Sequence, residues 1–110
     1  MKQVKLEIYI PEDVIIPMCE ALHEVQAGIV GNYDHVMSYS LVKGAWRPLA
    51  DAHPYDGEIN QISYGEECKL ELRCPYDKVA QACKIIRQIH PYEEPLINIL
   101  PLLNDEFQIT

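Results

Sequence analysis

Cys68-Lys69-Leu70-Glu71-Leu72-Arg73-Cys74-Pro75 is the stretch on which the fold turns. Cys68, Leu70, Leu72 and Cys74 alternate with Lys69, Glu71 and Arg73, which is the period of a strand with one buried and one solvated face. Both thiols therefore face the core. Six residues of strand set them about 20 Å apart, far beyond disulfide reach. Pro75 then opens a helix whose apolar stripe is Val79, Ala82, Cys83, Ile86 and Ile89, which turns a third thiol inward. With no CxxC spacing among Cys19, Cys68, Cys74 and Cys83, the cysteines read as small buried hydrophobes rather than redox or metal groups.

The same strand-then-helix pair stands at the start of the chain. Val4, Leu6, Ile8 and Ile10 alternate with Lys5, Glu7 and Tyr9 until Pro11 ends the strand. From Glu12 the spacing becomes helical, with a stripe of Val14, Met18, Ala21, Leu22 and Val25. Glu12 and Asp13 suit the positive helix start, Pro17 falls near the first turn, and Gly28 closes the helix in left-handed geometry. Residues 34–43 alternate without a polar side and are expected to form a strand covered on both faces. Residues 44–61, with Gly44, Pro48, Pro54 and Gly57, form either a long structured loop or a short edge hairpin. After the second helix come His90-Pro91-Tyr92-Glu93-Glu94-Pro95 and a last apolar strand, Leu96 to Leu100. This order predicts the α+β, ferredoxin-like βαββαβ sandwich, an antiparallel sheet with two helices on one face.

The chain has 110 residues, enough for one domain over 1–110 that buries roughly 65% of its extended surface. Nine Lys plus Arg against 17 Asp plus Glu give a net charge of −8, which argues against nucleic-acid and anionic-membrane partners. No run reaches the roughly 18 apolar residues of a membrane span, and Met1-Lys2-Gln3 leads straight into the alternating strand, so a cytoplasmic location is expected.

Three segments are more than core filling. Gly28-Ile29-Val30-Gly31-Asn32-Tyr33-Asp34 has glycines spaced like part of a phosphate loop, but it follows a helix rather than a strand and lacks a Lys-Ser/Thr end, so it reads as a helix cap and turn. Lys43-Gly44-Ala45-Trp46-Arg47-Pro48-Leu49 sets the only Trp beside an Arg, either as an interface pair or as an aromatic lid over the core edge. The third is a near-repeat, His53-Pro54-Tyr55-Asp56 and His90-Pro91-Tyr92-Glu93. Each copy couples an imidazole to a carboxylate three residues on across a stiff proline. Should the copies meet, His53, Asp56, His90 and Glu93, with Glu94 adjacent, could form a zinc-like shell; otherwise they are rigid corners whose His and Tyr satisfy backbone groups. Nucleophilic catalysis has little support: there is no GxSxG elbow, and the cysteines placed on elements face inward; nothing singles out an acid–base pair among the four His and the carboxylates.

Taken in order, Ile10-Pro11-Glu12, Ala27 to Asp34, Trp46-Arg47-Pro48-Leu49, Ala52 to Glu58 and His90-Pro91-Tyr92-Glu93-Glu94-Pro95 resemble the insertion domain of the Nif-three-like family, named for a factor that interacts with the NGG adaptor. The resemblance covers nearly the whole chain. It implies a domain similar to the CutA and PII signalling proteins, which commonly form trimers with ligand clefts between subunits. It also implies that the family's dinuclear metal ligands and proposed hydrolase activity belong to the two halves flanking the insert, which this chain does not carry. His53 stands where Asn is typical, Asp56 where an apolar residue is typical, and Trp46 where Phe is typical.

The expectation is a freestanding, cytoplasmic homo-oligomer, a trimer, acting as a non-catalytic ligand-binding or regulatory module without a cofactor. Arg47, His53, Tyr55, Asp56, His90, Tyr92, Glu93 and Glu94 are its ligand-binding candidates, Trp46 and Arg47 its interface candidates, and a small molecule or another protein its possible further partner. The alternative is a divalent-metal-binding protein or metal-dependent hydrolase built from the HPYD and HPYEE segments, with zinc held by His53, Asp56, His90 and Glu93. Soft-metal capture by analogy with CutA would need exposed thiols.

Overall fold

A computed structural model describes residues 2–110. The elements run β1 (Gln3–Ile10), α1 (Ile15–His23), β2 (Ser38–Trp46), β3 (Ser63–Pro75), α2 (Val79–Ile89) and β4 (Ile97–Pro101). Short 3-10 turns at Glu12–Val14 and Tyr76–Lys78 lead into the two helices, and a third, Asn104–Phe107, follows β4. The strands form one sheet in the order β2-β3-β1-β4, with β1 antiparallel to both β3 and β4, and β2 antiparallel to β3. This is the ferredoxin-like arrangement expected from the sequence.

The alternation in β1 becomes strict alternation of burial. Val4, Leu6, Ile8 and Ile10 are buried opposite Cys74, Leu72, Leu70 and Cys68 of β3. Onto this apolar face α1 packs Ile15, Met18, Cys19 and Leu22, and α2 packs Ala82 and Ile86, with Val79, Ile85 and Ile89 at the margin. A buried aliphatic side chain of this kind contributes about 1.5–3 kcal/mol, so this single layer supplies most of the driving force for folding. Cys83 is only partly buried, whereas Cys19, Cys68 and Cys74 are buried. Burial pushes the Cys74 thiol up to about 11.

The opposite face carries the other half of the alternation. Lys5 Nζ bonds Glu71 Oε1 at 2.8 Å and lies 3.5 Å from Glu7 Oε2, which is also 3.5 Å from Lys69 Nζ. The Lys5 ammonium holds the Glu71 carboxyl below its usual range.

The last strand is shifted by one residue, to Ile97–Pro101, β2 runs on to Trp46, and three further boundaries differ from the sequence expectation. Helix α1 stops at His23, because Gln26 already adopts φ 64°; Gly28 does take a left-handed φ of 79°, but inside the turn that follows, where its N–H bonds Arg73 O at 2.8 Å. Strand β2 begins at Ser38 rather than 34 and is an exposed edge, not a strand covered on both sides, because no element follows it in the sheet order. Strand β3 starts five residues early. Only Cys68–Pro75 face β1, so Ser63 to Glu67 pair with β2 alone and continue the hairpin past the body of the sheet. This arm makes the molecule long, 48 × 25 × 24 Å, with a radius of gyration of 15.3 Å against about 13 Å for a compact chain of this length.

Candidate ligand-binding site

The root of the arm is where the two His-Pro-Tyr segments come together. The first follows β2 within the 47–62 connection, which folds on itself through Ala52 N–H to Leu49 O at 2.9 Å and Asn60 N–H to Pro48 O. The second follows α2. The segments meet through other atoms than the imidazoles. The backbone N–H of His53 donates to Glu93 Oε1 at 2.7 Å, and the rings of Tyr55 and Tyr92 approach to 5.6 Å between centroids.

The two histidines have separated in role. His90 is 6% exposed, and both ring nitrogens are engaged: Nε2 meets Tyr9 O at 2.6 Å and Nδ1 accepts the Tyr92 N–H at 3.2 Å. The proton therefore sits on Nε2, and burial holds the imidazole below its ordinary 6.5, in the neutral form. The position explains the bond. The β1–β4 ladder ends at Ile8 and Ile97, so the Tyr9 carbonyl lies beyond its last rung and His90 supplies the missing donor. His53, by contrast, is exposed. Within one chain His53, Asp56, His90 and Glu93 do not gather their ligand atoms at metal spacing among the described residues; the set that does is elsewhere, His23, Asp34 and His35.

Tyr92 is the pivot. Its ring lies 4.6 Å from that of His90, and its hydroxyl donates to Glu67 Oε1 at 3.1 Å. Burial, and then the Glu67 carboxylate, push the phenol far above its usual range, so it stays a donor. Trp46, the last residue of β2, lies over Gly65 of β3, where a Cβ would come within 3.1 Å of its ring. Its Nε1–H donates to Asp56 O at 2.9 Å. Gly57, at φ 104°, lets the chain turn under that bond; a Cβ there would stand 2.9 Å from Trp46 Nε1 and from Ser63 Oγ. Asp56 thus contributes its carbonyl, while its carboxylate, Arg47, Tyr55, Glu93 and Glu94 remain on exposed residues. Glu67, Ser63 and Gly65 were not singled out by sequence reasoning. The lone signal for them is the run Ser63-Tyr64-Gly65-Glu66-Glu67, which continues the period of β3 without its apolar half.

Set against known proteins, this architecture has clear relatives. A GTP cyclohydrolase 1 type 2 homolog of Staphylococcus aureus strain COL is 32% identical over 98 residues, 89% of this chain and 27% of that protein. The crystal structure of a Bacillus cereus protein related to NIF3 superposes with a TM-score of 0.78 at 26% identity, over 92% of this chain and 26% of that one. The chain is similar to one segment of NIF3-related proteins. CutA1 from Ehrlichia chaffeensis, a divalent ion tolerance protein, shares the fold of this chain at a TM-score of 0.69 and 21% identity, over 97% of this chain and 90% of that one. No protein-family model matches the chain. The chain spans about a quarter of the length of the curated relatives it matches, whereas its fold covers nine-tenths of CutA1.

Proposed function

We propose that this NIF3-like domain is a non-catalytic, self-associating module, a homotrimer, that binds a small polar ligand where the root of one arm meets a neighbouring copy. The observation that carries the reading is the arm itself. Tyr64 on it is 79% exposed, Leu41 at its base 64%, and Ile62 and Leu49 in the connection beside it 58% and 63%, while the outer edge of β2 offers unpaired backbone groups. Exposed apolar residues clustered next to an open strand edge mark a contact surface. The ion-paired face of the sheet, with Lys5, Glu7, Lys69 and Glu71 mutually compensated, does not compete for that role. A CutA-like fold in which ligand clefts lie between subunits suits the same geometry.

The groups at the arm's root favour binding over turnover. His90 has no free nitrogen for proton transfer, and the Tyr92 phenol stays protonated. What remains exposed is Arg47 for an anionic or carbonyl group, Tyr55 for stacking, and the carboxylates of Asp56, Glu93 and Glu94 for donors. The hydrolytic chemistry suggested by the name of the longer relatives would then reside outside the quarter of their length that this chain matches.

Light scattering coupled to size exclusion tests the proposal. The expected mass at micromolar concentration is three times the 12.6 kDa of one chain, falling to one on Leu41→Asp. A native chain that elutes as a monomer overturns it.

A further inference from the structure

We infer that Glu20, His23, Asp34 and His35 form a second, intramolecular site that takes a borderline divalent cation such as zinc. It lies at the C-terminal end of α1, and it stands on observations separate from those that carry the ligand-binding reading.

Glu20 and His23 lie three residues apart on α1 and so share a face of the helix. Beyond Gln26 the chain is pinned into a compact return. Gly28 N–H bonds Arg73 O and Val36 N–H bonds Gly28 O, both at 2.8 Å, and Val30 and Tyr33 exchange backbone bonds of 2.9 and 3.0 Å. This return carries Asp34 and His35 back beneath the end of the helix. His35 is held there at φ 55°, a left-handed conformation that a non-glycine residue adopts only when its surroundings impose it.

The side chains converge. The His23 and His35 rings stack with centroids 4.6 Å apart. His35 Nδ1 lies 3.0 Å from Asp34 Oδ1, and His35 Nε2 lies 3.4 Å from Glu20 Oε1. One ligand atom each from His23, Asp34 and His35 fall within 4.8 Å of one another. The decisive atom is His23 Nδ1, which is buried and has no hydrogen-bond partner among the described residues. A buried ring nitrogen left unpaired is costly, and here it belongs to a ring stacked on a second imidazole and grouped with the Asp34 carboxylate.

Coordination chemistry selects the class of ligand. Two imidazoles with one or two carboxylates suit zinc, cobalt or nickel, whereas calcium and magnesium prefer oxygen alone. A tetrahedral ion with bonds near 2.0–2.1 Å brings its ligand atoms to about 3.3 Å from one another. The set therefore needs to close by about 1.5 Å at most. Asp34 and His35 are exposed and free to move by side-chain rotation, and a carboxylate left uncoordinated would orient His35 through its second nitrogen. A bound ion would tie the 28–36 return to α1 immediately before β2 begins.

The test is a titration of the full chain, stripped by chelator, with cobalt(II) followed by its visible absorption and with zinc(II) against a chromophoric competitor. The expected result is one ion per chain, a cobalt spectrum of a four- or five-coordinate site, and a melting temperature that rises with zinc. His35→Asn, which keeps the left-handed backbone accessible, should weaken binding at least tenfold and abolish the thermal shift, and Asp34→Asn should weaken it as well. His53→Ala should leave all three readouts unchanged. Binding well below one ion per chain, binding unaltered by His35→Asn, or binding lost in His53→Ala overturns the assignment.

Discussion

Replacing each histidine of the near-repeat by alanine separates a structural imidazole from a surface one. His90→Ala removes the imidazole donor to Tyr9 O and the acceptor for the Tyr92 N–H, in a residue that is 6% exposed. A buried polar group left without its partner costs about 1–3 kcal/mol, and some packing of the ring against Tyr92 is lost too, so the expected destabilisation is about 3 kcal/mol. For a domain of this size that lowers the melting temperature by on the order of 10 °C. His53→Ala removes an exposed ring and leaves the backbone bond to Glu93 intact, so its cost should stay within about 0.5 kcal/mol. Urea melts followed by circular dichroism at one fixed protomer concentration measure both, since self-association would otherwise shift the midpoints. The pH dependence has a definite sign. The folded imidazole titrates below the unfolded value of 6.5 because burial outweighs the Tyr9 carbonyl and the Glu67 carboxylate that favour its charged form. Between those two values the unfolded chain binds more protons, so the stabilisation from His90 is complete above 6.5 and is lost as the pH falls below it. The gap between wild type and His90→Ala should therefore narrow on acidification. Equal costs for the two variants, or a gap that widens below pH 6.5, would refute the assignment of His90 to the end of the β1 ladder.

Other consequences are open to direct measurement. Gly57→Ala sets a Cβ 2.9 Å from Trp46 Nε1 in a backbone at φ 104°, so the Trp46–Asp56 bond should break and the fluorescence of the single Trp should shift to the red. At pH 8 an alkylating reagent should modify Cys83 first and leave Cys74, raised to about 11, intact until the chain unfolds; early labelling of Cys74 contradicts the packing of β3 against α2. Tyr92→Phe keeps the ring contacts with Tyr55 and His90 but frees Glu67, so stability should fall by about 1 kcal/mol in thermal melts, with the monomer–oligomer distribution unchanged.

The sheet was legible because its two central strands each place one buried and one solvated face in strict alternation, and that period survives in single residues such as Leu70 beside Lys69. Strand β2 was misplaced for the same physical reason. On an edge strand little selects polar residues for one side, and Tyr39 and Leu41 look core-like while standing 49% and 64% exposed. The near-repeat of histidines pointed to the right region, but its two copies could not be ranked from sequence. Which imidazole turns inward is decided by where the β1–β4 ladder stops, a long-range property. The cluster around His23 and His35 escaped notice because its members sit eleven and twelve residues apart across a turn, with only Glu20-Ala21-Leu22-His23 and Asp34-His35 as local hints.

The arm and the helix-end cluster are connected through β2. The return that carries Asp34 and His35 runs directly into Ser38, whose strand supplies one side of the arm and ends at its far end in Trp46, over Gly65. Edge strands held on one side only are the first part of a sheet to fray, so whatever fixes the start of β2 also limits how far the arm can swing. The rigid half of the molecule, β1, β3 and the two helices, needs no such device, since its contacts are the apolar core. If an ion at the end of α1 clamps the return, its effect should therefore be felt selectively. Hydrogen exchange of β2 amides such as Ser40 and Val42 should slow on zinc addition while those of Leu6 and Ile8 stay unchanged, and uniform slowing of both would show that the ion acts on global stability instead.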